Sequence, residues 1–244
     1  MQTRRSRNEA GFSLIELIIA MAITITLMGL ASSILAGAFN VRSREDRKSD
    51  AIADVQRAMN IMTREISNAG LKLPSGLPNV SSNGIVSNDS DSQSLRVVSN
   101  LNGMPDPANA YSEDSDVTDM DEDLKFLMYV DTALGQRYLV RYEKNATNTT
   151  TVLANRIDSL VFRYFDEKVT YDTTVDGSGN VDITNVKNAA GDDETEVSPG
   201  NAKFVVIAVG VTLPAIGTQG NEGYQPPSQV QLTSDVTLRN SIVY

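Results

Sequence analysis

Apolar residues crowd one end of this 244-residue chain. From Phe12 to Phe39 there are 28 residues with a single charge, Glu16. As a helix rising about 1.5 Å per residue, such a run spans roughly 42 Å. A bilayer core needs only about 20 residues, so the run predicts a transmembrane helix that tilts or emerges from the membrane. The pattern then changes. Asn40 to Ala69 holds no Pro or Gly, and Ile52, Val55, Met59, Met62, Ile66 and Ala69 recur at intervals of three and four. That spacing is one stripe on an amphipathic helix, with Asp54, Arg57, Arg64 and Glu65 off the stripe. Asn68-Ala69-Gly70 reads as a helix stop, and Pro74 and Pro78 prevent continuation. The expectation is one helix from about Phe12 to Ala69, its first half embedded and its second half laid on a sheet.

Past residue 70 the period shortens. Leu95–Val98 reads as a short strand. Leu124–Val130 and Arg137–Tyr142 read as a hairpin around Gly135. Ile157–Phe165 sets Leu160, Phe162 and Tyr164 on one face. Phe204–Leu213 is a nearly continuous apolar run, as expected of a central strand, and Val230–Leu238 alternates. Residues 75–93, 102–122 and 166–201 are polar and read as loops. The predicted organisation is a leader over 1–11, a membrane helix over 12–39, its amphipathic continuation over 40–70, and a β-rich globular domain over 71–244. The fold class is α+β, a long N-terminal helix packed on an antiparallel sheet.

Glu16 stands out against this frame. An ionisable side chain near the centre of a membrane helix costs about 2.5–3.5 kcal/mol and marks function by default. If the chain is cut after Gly11, the new amino group of Phe12 becomes a candidate partner four residues, or one turn, away. Gly29, Ser32, Ser33 and Gly37 supply small side chains for close helix packing.

Charge narrows the function classes. The net charge is −10, and the leader, with Arg4, Arg5 and Arg7 against Glu9, is basic. So acidic a chain lacks the basic surface that nucleic-acid binding needs and suits a soluble, self-repelling ectodomain. The leader arginines favour a cytoplasmic N-terminus. Arg42, Arg44, Arg47 and Lys48 follow the apolar run, diluted by Glu45, Asp46 and Asp50. There is no Cys and no His. Thiol catalysis, disulfides, His-dependent triads and the commonest transition-metal ligand are therefore excluded; carboxylate-only hydrolysis and Ser-Lys chemistry remain, and no enzyme activity is expected. A competing reading is a secretory signal peptide cut at Ala36-Gly37-Ala38, but the apolar run is long for one and Glu16 burdens it.

Asp114, Asp116, Asp119 and Asp121 lie in an oxygen-rich run that suggests calcium. The Gly and terminal Glu of an EF-hand loop are missing, and Asp176–Asp182 falls equally short. A solvated acidic loop and a Gly-rich turn are the expectation, with no metal and no cofactor. Asn145-Ala146-Thr147 fits a glycosylation acceptor by chance in a Thr/Asn-rich loop.

Gly11-Phe12-Ser13-Leu14-Ile15-Glu16, behind a basic leader, resembles the processing site of type IV pilins and type II secretion pseudopilins. The resemblance implies that prepilin peptidase cuts after Gly11 and methylates Phe12, and that Glu16 meets the N-terminal amine of a neighbouring subunit and sets register. Val55-Gln56-Arg57-Ala58-Met59-Asn60, Arg64-Glu65-Ile66 and Ala69-Gly70 resemble the helix end of PilW-like minor pilins and of J-type minor pseudopilins. Asn155–Tyr164 is similar to a strand of that family, and Val236-Thr237-Leu238-Arg239-Asn240 to the closing segment of PilW-like proteins. The expected role is a minor pilin in a priming or tip complex. Its partners would be prepilin peptidase, major and minor pilins, the assembly platform and the lipid bilayer, with no nucleic acid. It would sit in the bacterial inner membrane as a single span, with a periplasmic C-terminal domain, and later in the pilus at the cell surface. The alternatives are a J-type pseudopilin and an anchored or secreted binding protein or adhesin.

Overall fold

The computed structural model describes residues 12–101, 116–146, 149–176, 180–221 and 224–241. The leader, Gly11, Asp114 and Thr147 lie outside them. Helix α1 spans Leu14–Ser67. Among the described residues nine strands follow: β1 (Ser94–Val98), β2 (Asp123–Asp131), β3 (Gln136–Glu143), β4 (Thr150–Asn155), β5 (Ser159–Phe165), β6 (Thr170–Val175), β7 (Val181–Lys187), β8 (Phe204–Leu213) and β9 (Ser228–Thr237). All pairings are antiparallel, in sheets of order β1-β2-β3-β4, β5-β8-β9 and β6-β7. The expected α+β architecture, a long helix followed by antiparallel sheets, is the one observed.

The chain forms two compact units. One contains α1 through Asp46 together with Ala215–Pro226, a segment closed by paired backbone hydrogen bonds between Ile216 and Gln225. The other contains Arg47–Pro214 and Pro227–Tyr244.

In the second unit the predicted stripe is the buried face of α1. Val55, Met59, Met62, Ile66 and Ala69 are buried, as is Ala58 beside them. They share a core with Phe126, Leu139, Phe162, Tyr164, Ile207 and Val209. Burying each large side chain contributes about 1.5–3 kcal/mol, so this stripe, rather than helix propensity, holds the helix down. Arg141 on β3 adds a polar tie. Its Nε donates to Glu65 Oε2 at 3.0 Å, and its Nη2 pairs with Asp121.

The helix stops where Gly70 takes φ +80°, the left-handed turn that glycine adopts without strain. The Gly70 N–H donates to Val98 O at 2.9 Å, and the Val98 N–H donates to Gly84 O at 2.8 Å. Gly84 itself sits at φ +81°, against the backbone of Ala69 and Gly70.

Strand β8 is central in its sheet and buried on both faces. Val205, Ile207, Val209 and Val211 join the helix core. Phe204, Val206 and Ala208 join a second cluster with Phe165, Val169, Val181 and Ile183. The β6–β7 hairpin supplies this second cover and is fastened by Arg163, which donates to Asp182 at 2.7 Å and to Glu196 at 3.0 Å.

Three strands depart from the sequence expectation. The segment 166–201, read as a loop, contains β6 and β7, and β4 occupies the Thr-rich stretch after Asn145. β4 and β6 are mostly exposed, so they lack the apolar alternation that announces a strand. The helix also begins at Leu14 rather than Phe12: Ser13 O accepts the first helical bond, from Leu17 N–H at 3.2 Å, and the Ser13 N–H turns to the Glu16 carboxylate.

Candidate functional site

The helix start is built by Ser13-Leu14-Ile15-Glu16, the spacing of a capping box. The Ser13 N–H donates to Glu16 Oε2 at 2.9 Å. This satisfies one of the donors that every helix N-terminus leaves free, and it leaves Phe12 outside the helix, 93% exposed. The site residues are thus adjacent for a local reason: the carboxylate expected to meet an amine folds back on the first turn.

From Phe12 to Phe39 the large apolar side chains lie open. Leu14, Ile15, Leu17, Ile18, Ile19, Met21, Ile23 and the apolar residues after them are exposed by half or more. This stretch is long and apolar enough to cross a membrane, and none of it is buried within the chain. Thr24 and Thr26 donate their hydroxyls to Ala20 O at 2.7 Å and Ala22 O at 2.8 Å, so these hydroxyls are satisfied within the helix. Gly29 and Gly37 have nothing near their missing side chains. Such a surface is stable only in an apolar surrounding, whether lipid or other helices. Its one charge is Glu16.

The acidic loop does different work. Asp116 Oδ1 accepts from the Thr118 N–H at 3.0 Å and from its hydroxyl at 2.7 Å, and these bonds hold the carboxyl below the usual range. Asp121, at φ +70°, pairs with Arg141. Glu122 accepts from the Leu101 and Asp119 amides at 2.9 and 3.2 Å. Glu143 accepts from the Asp121 amide at 2.8 Å, and burial pushes its carboxyl up. Among the described residues no three metal-ligating side chains converge. The carboxylates of Asp116 and Asp121 instead organise the chain around them.

Comparison with known proteins bears on the helix alone. Residues 6–32 match the prokaryotic N-terminal methylation motif. The match takes in Gly11, Phe12 and Glu16 and covers a small part of the chain. It supports a type IV pilin-like protein, a pilin or pseudopilin processed by prepilin peptidase, and together with the long apolar helix it supports membrane anchoring through that helix. No curated protein and no solved structure matches the chain.

Three structural contributors escape the sequence reading. Ser13 was visible as the first position of an S-x-x-E box but was masked by the membrane reading of Glu16. Arg141 and Gly84 carry no local signal, because their partners, Glu65 and the Ala69–Gly70 backbone, are distant in sequence or set by the fold.

Proposed function

We propose that this chain is a minor pilin of the PilW type, a structural subunit of type IV pilus assembly and not an enzyme. Prepilin peptidase cuts between Gly11 and Phe12 and methylates the new Phe12 amine. The apolar helix leaves lipid to pack among other pilin helices, and the amine of one subunit neutralises Glu16 of the next. An unpaired buried charge costs several kcal/mol, so this pairing fixes axial register. The observation that carries the reading is the bare apolar helix with a single carboxylate at its capped start, inside the matched motif. The acidic ectodomain contacts other minor pilins in a priming or tip complex.

Mass spectrometry of the mature N-terminus, from membranes that contain the native peptidase, tests this directly. The expected chain starts at Phe12 and carries one extra methyl group. A start near Phe39 or an uncut Met1 removes the basis for assembly. A J-type pseudopilin shares the helix-end residues Val55–Gly70, and gene deletion separates the two. Loss of pili and twitching supports the pilus; retention of exported enzymes supports secretion.

A further inference from the structure

The four basic residues that follow the apolar run have no part in filament packing as described, and two of them, Arg47 and Lys48, belong to the second unit. Arg47 lines a groove of about 450 Å³ in that unit, together with Asp50, Gln136, Tyr138 and Arg156. The β2–β3 turn ends at Gln136, so this end of the domain also holds the turn Thr132–Gly135. Leu134 in that turn is 65% exposed and Val130 before it is 47% exposed. Arg137 and Arg156 are exposed at the same end.

Acidic residues share this end: Asp50 and Asp54 line the groove beside Arg47, Arg137 donates to Asp158 O at 2.7 Å, and two other carboxylates are partly occupied. Asp131 accepts from the Ala133 and Leu134 amides at 2.9 and 3.1 Å, and Asp158 accepts from the Thr212 amide. An exposed leucine on a hydrogen-bonded turn, with cations nearby, is the composition of an interfacial membrane contact. The chain itself says which surface is near. Seven residues lie between Phe39 and Arg47, and even fully extended the eight steps from one to the other reach at most about 28 Å.

We propose that the β2–β3 turn seats on the bilayer surface that the anchor leaves, with Leu134 entering the interface and Arg47, Arg137 and Arg156 meeting anionic headgroups. The seat holds the ectodomain on the membrane before assembly, and departure into a filament releases it. It rests on membrane anchoring of the apolar helix but not on pilus identity.

The chain has no Cys, so Thr132→Cys gives a single site for a nitroxide label. The full chain is reconstituted in nanodiscs of phosphatidylcholine, with or without phosphatidylglycerol. Collision with lipid-soluble oxygen is compared with collision with a water-soluble nickel chelate. Anionic discs are expected to shift the label toward oxygen. In Arg137→Gln and Arg156→Gln variants the seated population should fall about fivefold for each cation removed, with helicity and melting unchanged. Leu134→Ser should lower it in the same way. A label equally aqueous in both discs, or equally seated in both, overturns the proposal. Co-elution of the chain with the disc is scored separately, so failure of the anchor is distinguished from failure of the seat.

Discussion

Gly84→Ala offers the sharpest test of how the helix is locked to the sheet. A Cβ built at Gly84 would lie 1.9 Å from Gly70 N, 2.6 Å from Val98 O and 2.7 Å from Ala69 C. All three are backbone atoms, so no side chain can swing aside. The left-handed φ of +81° alone costs alanine about 1–2 kcal/mol. Relief of the clash requires separating Gly84 from the helix end, which loses the Gly70–Val98 and Val98–Gly84 hydrogen bonds, each worth about 1 kcal/mol. The expected total is about 3–4 kcal/mol, against a stability of about 5–15 kcal/mol for a domain. At roughly 2–4 °C per kcal/mol for a domain of this size, melting should fall by about 6–16 °C. The control is Gly76→Ala, at φ +88° with nothing within 4 Å. It bears the conformational cost alone. Thermal unfolding in detergent, followed by circular dichroism at strand wavelengths, compares the two. Equal losses for both variants would refute the reasoning, because crowding at Gly84 would then contribute nothing.

Other perturbations separate the remaining interactions. Glu16→Ala should speed hydrogen exchange at the Ser13 amide by removing its acceptor, while Glu16→Gln keeps an acceptor oxygen and protects it. If filament assembly fails in both variants, charge and not the cap sets register. Arg141→Ala should destabilise the domain by about 2 kcal/mol in urea titration, because it leaves the buried Glu143 without its cation and Glu65 with only the exposed Arg64; an unchanged midpoint would show the pair to be idle. Acid should loosen the sheet surfaces. Arg163 holds the Asp182 carboxyl below its ordinary 3.8, and Lys125 with Arg96 outweighs burial to do the same at Asp89. Groups lowered in the folded state contribute stability that is present above the unfolded value and lost as pH falls through the folded one. Melting should therefore drop below about pH 3.8, and less steeply in Arg163→Gln. Glu143, raised by burial, acts with the opposite sign: its share is present at low pH and is lost as pH rises through its folded value.

Legibility in the sequence followed burial geometry. The α1 stripe was readable because one face of a helix meets one core, and the 3.6-residue period survives intact. The run Phe204–Leu213 was readable because both faces of β8 are covered, so nearly every position is apolar. β6 and β7 were not, since only Val181 and Ile183 of the hairpin are buried while Thr170, Thr173 and Thr174 face water. β4 buries Ala154 alone. At the site, Glu16 is legible as a charge out of place, but its bond to Ser13 is hidden by its membrane setting. The close approach of Gly84 to Gly70 is set by a fold-level crossing that no local pattern encodes.

The two-faced burial of β8 has an evolutionary consequence. Odd-numbered side chains from Val205 to Val211 serve the helix core, and even-numbered ones from Phe204 to Ala208 serve the hairpin. One strand therefore works as a partition between two populations of residues that share few neighbours, and substitutions in such populations combine additively. The hairpin and its acidic flanks can drift, lengthen or be exchanged under selection by partners or hosts, while the helix-bearing half keeps its packing. Such a chain can diversify its hairpin without renegotiating the core beneath its helix.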